Sequence, residues 1–395
     1  MSIVVEHLKN LIRIPSISAS SNRPVIEYAA NAFRAEGWSF QEFVYLDACG
    51  TEKVNLVAAP PGQDVCSRDV EMAFFCHTDT VPYSIAWPHA IDPVLADGHL
   101  HGCGACDVKG SLACLLTAAS DWRGNHCDGL RIVLTADEEI GCIGTAQLLA
   151  SAAFRARRIV VCEPTSLHVA RAGKGYCLAR LVFTGREAHS AHPEKGASAI
   201  FAAAHAITAI ETLSERLQQH CNAFFAPSFT TVNVGTIQGG SAKNIVPGHC
   251  EMLLEWRTIP GSTLTTDPVM KALQEIALQA NRDDPAVICH VELLRHQSGF
   301  ETRAKAALVK SIARMTNLRA TSIAFGSEAS LLAAVSEEIV VFGPGDMRTA
   351  HSDRECVAII ELDQAVAVMR SLMSHPGNEP DNPAKAPVRA HSQRL

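Results

Sequence analysis

Acidic and imidazole side chains recur in short polar strings that directly follow apolar runs. His77 and Asp79 lie in HTDTVPY (77–83), Asp107 in GCGACDVKG (102–110), and Glu138 and Glu139 in TADEE (135–139). Glu163 lies in CEPTSL (162–167) and His351 ends GPGDMRTAH (343–351). Imidazole nitrogen and carboxylate oxygen together suit zinc and similar divalent ions. A carboxylate shared between two such ions holds them ~3.5–4 Å apart, so this set suits a pair of zincs. Each residue alone has a plainer reading. A lone His after a strand is usually a loop residue, Glu138-Glu139 would open a helix favourably, and Asp107 could cap one or make a turn. Glu163 is harder to dismiss, because a charge directly after IVVC is costly unless paired or bound.

The elements that must carry these residues are legible as alternating apolar runs. Residues 53–59, 71–76, 130–135 and 158–162 read as buried strands, and 3–13, 24–36, 111–120 and 143–153 as helices. Such alternation predicts an α/β catalytic domain with a mostly parallel sheet flanked by helices. Ligands bind beyond the carboxyl ends of such strands, where the polar strings fall. From about 175 the order becomes strand, helix, two strands, helix, strand, with helices at 197–218 and 265–280, which predicts an inserted ferredoxin-like α+β unit. The first pattern then resumes with a helix at 302–315 and the strand IVVFGPG. The expected division is 1–174 and 297–374 for the catalytic domain, 175–296 for the insert, and 375–395 for a proline-rich disordered tail.

Composition narrows the partners. The 395 residues carry a net charge of -7 and only 6% aromatic residues, which argues against nucleic acid and anionic membranes as partners. No apolar run reaches ~18 residues and the amino terminus is amphipathic, so a cytoplasmic protein is expected. Fourteen cysteines are scattered through apolar runs in a long chain, which reads as buried thiols in a reducing compartment. Cys103 and Cys106 have dithiol spacing, but no helix opens directly at the pair as in a thioredoxin-like motif.

The strings above, together with GREAHSAHPEKGASAI (185–200), IVPGHCEMLLEWR (245–257) and GSEA (326–329), resemble the successive motifs of the di-zinc amidohydrolase and exopeptidase family, over roughly residues 1–374. That family includes acetylornithine deacetylase, succinyl-diaminopimelate desuccinylase, aminoacylases and carboxypeptidases. The resemblance implies two Zn2+ per subunit, with Co2+ able to substitute: His77 and Glu163 on one ion, Glu139 and His351 on the other, and Asp107 bridging. It further implies that Asp79 orients His77 and that Glu138 is the general base acting on the water between the metals. The insert resembles the family's dimerisation domain, which implies a homodimer whose His189 reaches across to the developing oxyanion. Asn244 and Arg257 match substrate-binding residues, Arg257 being suited to bidentate capture of a carboxylate.

CEPTSL, Arg171, Gly173-Lys174-Gly175 and GSEA most resemble the acetylornithine deacetylase branch. That implies hydrolysis of an N-acetyl-amino acid to acetate and a free amino acid, N2-acetyl-L-ornithine first, within arginine biosynthesis. A succinyl-diaminopimelate desuccinylase, another acyl-amino-acid hydrolase or a dipeptidase are the alternatives. Cys162 stands where the family often has Gly, Ser198 where it often has Asn, and Arg354-Glu355 where many members carry an acidic pair. A non-catalytic binding protein of this fold would be expected to lack a ligand or Glu138, and here every position is filled. His89, His99, His101, His192 and His249 are read as structural or surface residues.

Overall fold

The computed structural model describes residues 2–123, 129–151, 154–260 and 268–375. The central sheet runs Ser39–Leu46, Glu52–Ala59, Leu130–Thr135, Asp69–His77, Arg155–Val161, Ser336–Val341, Ala170–Gly173, Phe300–Glu301, with Thr321–Ile323 paired to Ala170–Gly173 off that line. Its four central strands, Leu130–Thr135 to Ser336–Val341, are parallel, whereas the Ser39–Ala59 hairpin and Phe300–Glu301 are antiparallel. Parallel strands are covered on both faces, and all six residues of LRIVLT are buried.

Successive side chains on these strands feed opposite cores. Phe74, Ile132 and Val160 pack with Leu8, Phe33, Leu112 and Met369 from the helices Ile3–Ile12, Arg23–Ala35, Lys109–Ser120 and Ile359–Ser374. Phe75, Val133 and Val161 pack on the other side with Leu148 of Ile143–Ser151 and Leu332 of Ala329–Leu332. Burying one such Phe or Leu contributes about 1.5–3 kcal/mol, so both layers hold the strand ends firmly.

The insert is a second, four-stranded antiparallel sheet in the order Thr231–Gly239, His249–Arg257, Tyr176–Thr184, Ile288–Gln297. Cys177, Ala179, Leu181 and Phe183 alternate onto one face and pack with Ala203, Ile210 and Leu273 of the helices Ala199–Leu217 and Pro268–Asp283. This is the ferredoxin-like arrangement. Ser198 caps the first of these helices, its hydroxyl accepting from the Phe201 amide at 3.3 Å.

Several elements differ from the reading of the sequence. The helix expected at 302–315 begins at Ala307, and Thr302 is still tied to the sheet: its amide donates to Arg171 O at 2.7 Å, and its hydroxyl to Ile339 O at 2.6 Å. The edge strand Ser39–Leu46, the helix Ile359–Ser374 and a small sheet of Cys356–Ala358, His99–His101 and Val94–Ala96 were not anticipated. The parts of the expected helices at 152–153 and 265–267, and the expected tail from 376 on, lie outside the described residues. Among the described residues, no helix is long and apolar enough to cross a membrane.

Candidate metal centre

The carboxyl ends of the parallel strands converge as the sequence pattern requires. His77 closes its own strand, Glu138 and Glu139 follow Thr135, and Glu163 follows Val161. His351 reaches the same place from the loop after Val341, with a left-handed backbone at φ 57°. Close packing of these loops demands small residues. A Cβ at Gly144 would lie 2.3 Å from Ala136 O, and one at Gly343 would lie 2.7 Å from Glu163 O.

Asp107 is the centre of the cluster. Its Oδ1 lies 3.1 Å from His77 Nε2 and its Oδ2 lies 3.1 Å from His351 Nε2. Glu163 Oε2 is 4.0 Å from His77 Nε2, and Glu139 Oε2 is 3.2 Å from His351 Nε2. Donor atoms of His77, Asp107 and Glu139 all lie within 4.8 Å of one another. Two tetrahedral ligands with bonds of ~2.0–2.1 Å would sit about 3.3 Å apart, so these spacings fit shared ions. The His77 side chain is 1% exposed and that of His351 47%, so one half of the cluster is sealed and the other opens to solvent.

The charge balance fits a cation as well. Burial pushes Glu163 well above the ordinary carboxylate range, with repulsion from Asp107 adding to it. Burial raises Glu138 to about 8, helped by the neighbouring Glu139 and Glu328 and opposed by His77. Glu139 is also raised, burial outweighing its bond to His351. Burial works against the charge of Asp107 too, but its bonds to His351 and His77 outweigh it and hold the group well below its usual value. Bonds to Asp107 and Glu139 raise His351 to about 10. Burial opposes charging of His77, and its contacts with Asp107 and Asp79 overcome it. So many carboxylates in so dry a site call for positive charge beyond two imidazoles, and divalent ions would supply it.

Around the cluster, a second layer fixes each group. His77 Nδ1 lies 3.0 Å from Asp79 O, which can only accept, so Nδ1 carries the proton and Nε2 is left to face the cluster. The Asp79 carboxylate accepts from Ser18 Oγ at 2.7 Å and from the amides of Glu138 and Glu139 at 3.0 and 3.3 Å. It thereby ties the orienting residue to the loop of the expected base. Cys142 Sγ donates to Glu138 Oε1 at 3.3 Å.

Four supporting residues were missed by the reading of the sequence. Asn55 accepts from the Ala136 amide at 3.0 Å and donates to Gly144 O at 2.8 Å, pinning both ends of the 137–143 loop. Lys53 pairs with Asp137 Oδ1 at 2.8 Å, both side chains 1% exposed, and also donates to Ser18 O. Glu355 accepts from the amides of Gly104, Cys106 and Asp107 and so holds the bridging loop. Glu328, within GSEA, is buried and accepts from the hydroxyls of Thr135 and Thr145. The usable signal in each case was a polar residue inside or beside an apolar run, which must be satisfied somewhere.

Cys103 and Cys106 are buried in the Asp107 loop, and burial pushes the Cys103 thiol up to about 11, an inert rather than a reactive setting. His189 is exposed on a two-residue strand that pairs with Ile245–Val246, and Ser190 N donates to Asn244 O at 3.0 Å, which places His189 and Asn244 side by side. Among the described residues, no hydrogen bond or ion pair joins either to the His77–His351 cluster. Arg257 ends its strand with its guanidinium 3.8 Å from the centre of the Tyr176 ring and 3.4 Å from Glu255 Oε2. Arg171 pairs with Glu301 at 2.8 Å and stacks on Phe224, a structural position.

Comparison with known proteins gives a consistent outcome. The pattern of Peptidase family M20/M25/M40 matches residues 73–375. The chain is 41% identical over 369 residues to an acetylornithine deacetylase of Myxococcus xanthus, covering 93% of this chain and 96% of that protein. It is 30% identical over 384 residues to an acetylornithine deacetylase of Proteus mirabilis (94% and 96% covered). A tripeptidase from Staphylococcus aureus shares the fold with a TM-score of 0.72 at 22% identity (94% and 97% covered). A Bacillus subtilis protein described as a dinuclear metal binding peptidase does so with 0.68 at 13% identity (95% and 98% covered).

Proposed function

The chain belongs to Peptidase family M20/M25/M40, and from that premise we propose that it is a di-zinc amidohydrolase that removes the acetyl group from an N-acetyl-amino acid. The substrate proposed first is N2-acetyl-L-ornithine, giving L-ornithine and acetate, which would place the enzyme in arginine biosynthesis. The observation that carries the reading is Asp107, whose two oxygens each face a different histidine at 3.1 Å. A carboxylate so placed serves two ions at once. The relatives named acetylornithine deacetylase support the choice of substrate.

His77, Glu163 and Asp107 would hold one ion and His351, Glu139 and Asp107 the other. When bound, such ions supply Lewis acidity that polarises the amide carbonyl and acidifies water near neutral pH. Glu138 then takes the proton of the attacking water on a carboxylate oxygen and returns it to the leaving nitrogen. The Cys142 thiol holds that carboxylate in place. Asp79 keeps the His77 ring in its working orientation. His189, supplied across a homodimer, would donate to the developing oxyanion, with Asn244 and Arg257 binding the substrate. The inserted sheet at 175–296 would supply the dimer contact.

The test is an amine-release screen of the zinc- or cobalt-loaded protein over N-acetylornithine, N-acetylcitrulline, N-acetyllysine, N-succinyl-diaminopimelate and simple dipeptides. Preference for an N-acetyl-amino acid is expected, with N-acetylornithine foremost. Turnover of the succinyl compound or dipeptides alone, or under one metal per chain with no activity on metal addition, would overturn it.

A further inference from the structure

We propose that Arg295 is a second guanidinium of the substrate-carboxylate site, acting beside Arg257. The proposal rests on the hydrolase reading above and specifies how that site recognises its substrate.

The register of the inserted sheet brings the two arginines together. Tyr176 lies on the face of its strand opposite the helix-covered residues Cys177 and Ala179. On one side, Trp256 pairs with Cys177, so Arg257 falls on the Tyr176 face. On the other side, regular pairing would set Arg295 opposite Cys177, on the helix face. A β-bulge between Leu293 and Arg295 shifts the register, so that Arg295 faces Leu178 and Gln297 faces Tyr176. One extra residue has re-aimed the side chain, as bulges beside active sites do. Arg257 and Arg295 now lie 3.8 and 4.5 Å from the centre of the same Tyr176 ring.

Both point toward the catalytic side. A Cβ built on Gly326 would lie 3.9 Å from an Arg257 Nη1 and 4.0 Å from Gln297 Oε1, and Arg295 Nη2 donates to that Gln297 oxygen at 2.7 Å. A Cβ on Gly141, in the loop that follows Glu138, would lie 3.7 Å from Arg295 Nη1. Gln297 Nε2 in turn reaches Cys142 Sγ, whose thiol bonds to Glu138. Arg295 is thus separated from the expected base by two side chains.

Its partners do not account for its charge. Arg23, Arg158, Arg171 and Arg180 each pair with a carboxylate. Among the described residues Arg295 pairs with none, having only a neutral amide and a ring. Two guanidiniums beside one ring, with Lys174 close enough to feel Arg257 and, among the described residues, Glu255 the one acid paired with them, leave surplus positive charge. An anion resolves that repulsion, and the α-carboxylate of an acyl-amino acid is the anion every proposed substrate carries. Arg offers it a planar fork of donors.

The experiment compares an N-acetyl-amino acid with its α-carboxamide as substrates for wild-type, R295A and R295K proteins in metal-loaded form, with circular dichroism to check folding. For the carboxylate substrate R295A is expected to raise KM about 10- to 100-fold with a smaller change in kcat, since a hydrogen bond to a charged group is lost. R295K should fall between, and kcat/KM for the carboxamide should stay within about twofold of wild type. Calorimetric titration of the N-acetyl-amino acid into E138Q and E138Q/R295A should show the same loss of affinity. An equal effect of R295A on both substrates, or an unchanged Kd, would overturn the proposal. If the wild type hydrolyses neither compound, the functional reading fails, and titration of wild-type and R295A protein still decides the arginine.

Discussion

Replacing Glu355 by Gln isolates a contribution that no metal ligand makes. The side chain is 2% exposed and accepts three amide protons, from Gly104 at 3.0 Å on one oxygen and from Cys106 and Asp107 at 3.1 and 3.0 Å on the other. Gln can keep its oxygen toward Cys106 and Asp107, which turns its NH2 against the Gly104 amide. One charge-assisted bond is lost, the other two weaken, and one buried donor is left unsatisfied, a cost of about 1–3 kcal/mol. In a chain of 395 residues each kcal/mol moves Tm by roughly 1 °C, so a fall of about 1–4 °C is expected. The Asp107 amide is one of the three donors, so loosening it displaces the bridging carboxylate. Removal of such supporting partners weakens metal binding by about 10- to 100-fold. Thermal unfolding of the metal-loaded protein gives the first number, and zinc competition against a chromogenic chelator gives the second. A variant with wild-type Tm and wild-type zinc affinity would show that the loop holds its shape without Glu355, and the reasoning from its hydrogen bonds would be wrong.

Other consequences can be checked in parallel. Glu138→Gln should retain two metals per chain by elemental analysis while kcat falls about 10²- to 10⁴-fold; normal kcat would remove Glu138 from its role as base. Asp107→Asn takes the negative charge from between His77 and His351, and metal content should drop below one per chain at micromolar free zinc; retention of two would show that the bridge is dispensable. Lys53→Met strands the Asp137 carboxylate, both side chains being 1% exposed, and should cost about 3–5 kcal/mol. Adding Asp137→Asn should restore part of that, and a double mutant less stable than the single one would contradict the pairing. The Arg295 variants complete the set, since their effect is expected to follow the substrate's carboxylate.

The ligand candidates were legible because type and position coincide: His77 closes an apolar strand, and Glu139 and Glu163 come shortly after one, where an α/β sheet presents its ligands. Asp107 and His351 lie in loops, so their place in the polar strings only nominated them, and the resemblance of whole motifs supplied their roles. The supporting layer was not legible, for a physical reason. Asp79 came with the resemblance, but Glu355 and Asn55 spend their hydrogen bonds on backbone groups, and any backbone amide looks the same in a sequence. Asn55 and Lys53 did leave a trace, as polar residues in the otherwise apolar run KVNLVAA, a pattern that demands partners without naming them.

The bulge at Leu294 shows the other limit. Strict alternation along ICHVELLR would set Arg295 opposite Cys177, on the helix side of the sheet and away from Tyr176. A one-residue shift instead puts the charge on the Tyr176 face, beside Arg257. The charge owes its place to that irregularity, which puts a second guanidinium beside the Glu138 loop. Deleting Leu294 supplies the corresponding test: regular pairing would set Arg295 opposite Cys177, away from Tyr176 and Arg257, so the variant should lose its preference for a carboxylate substrate as R295A does, and a variant that keeps it would refute the placement.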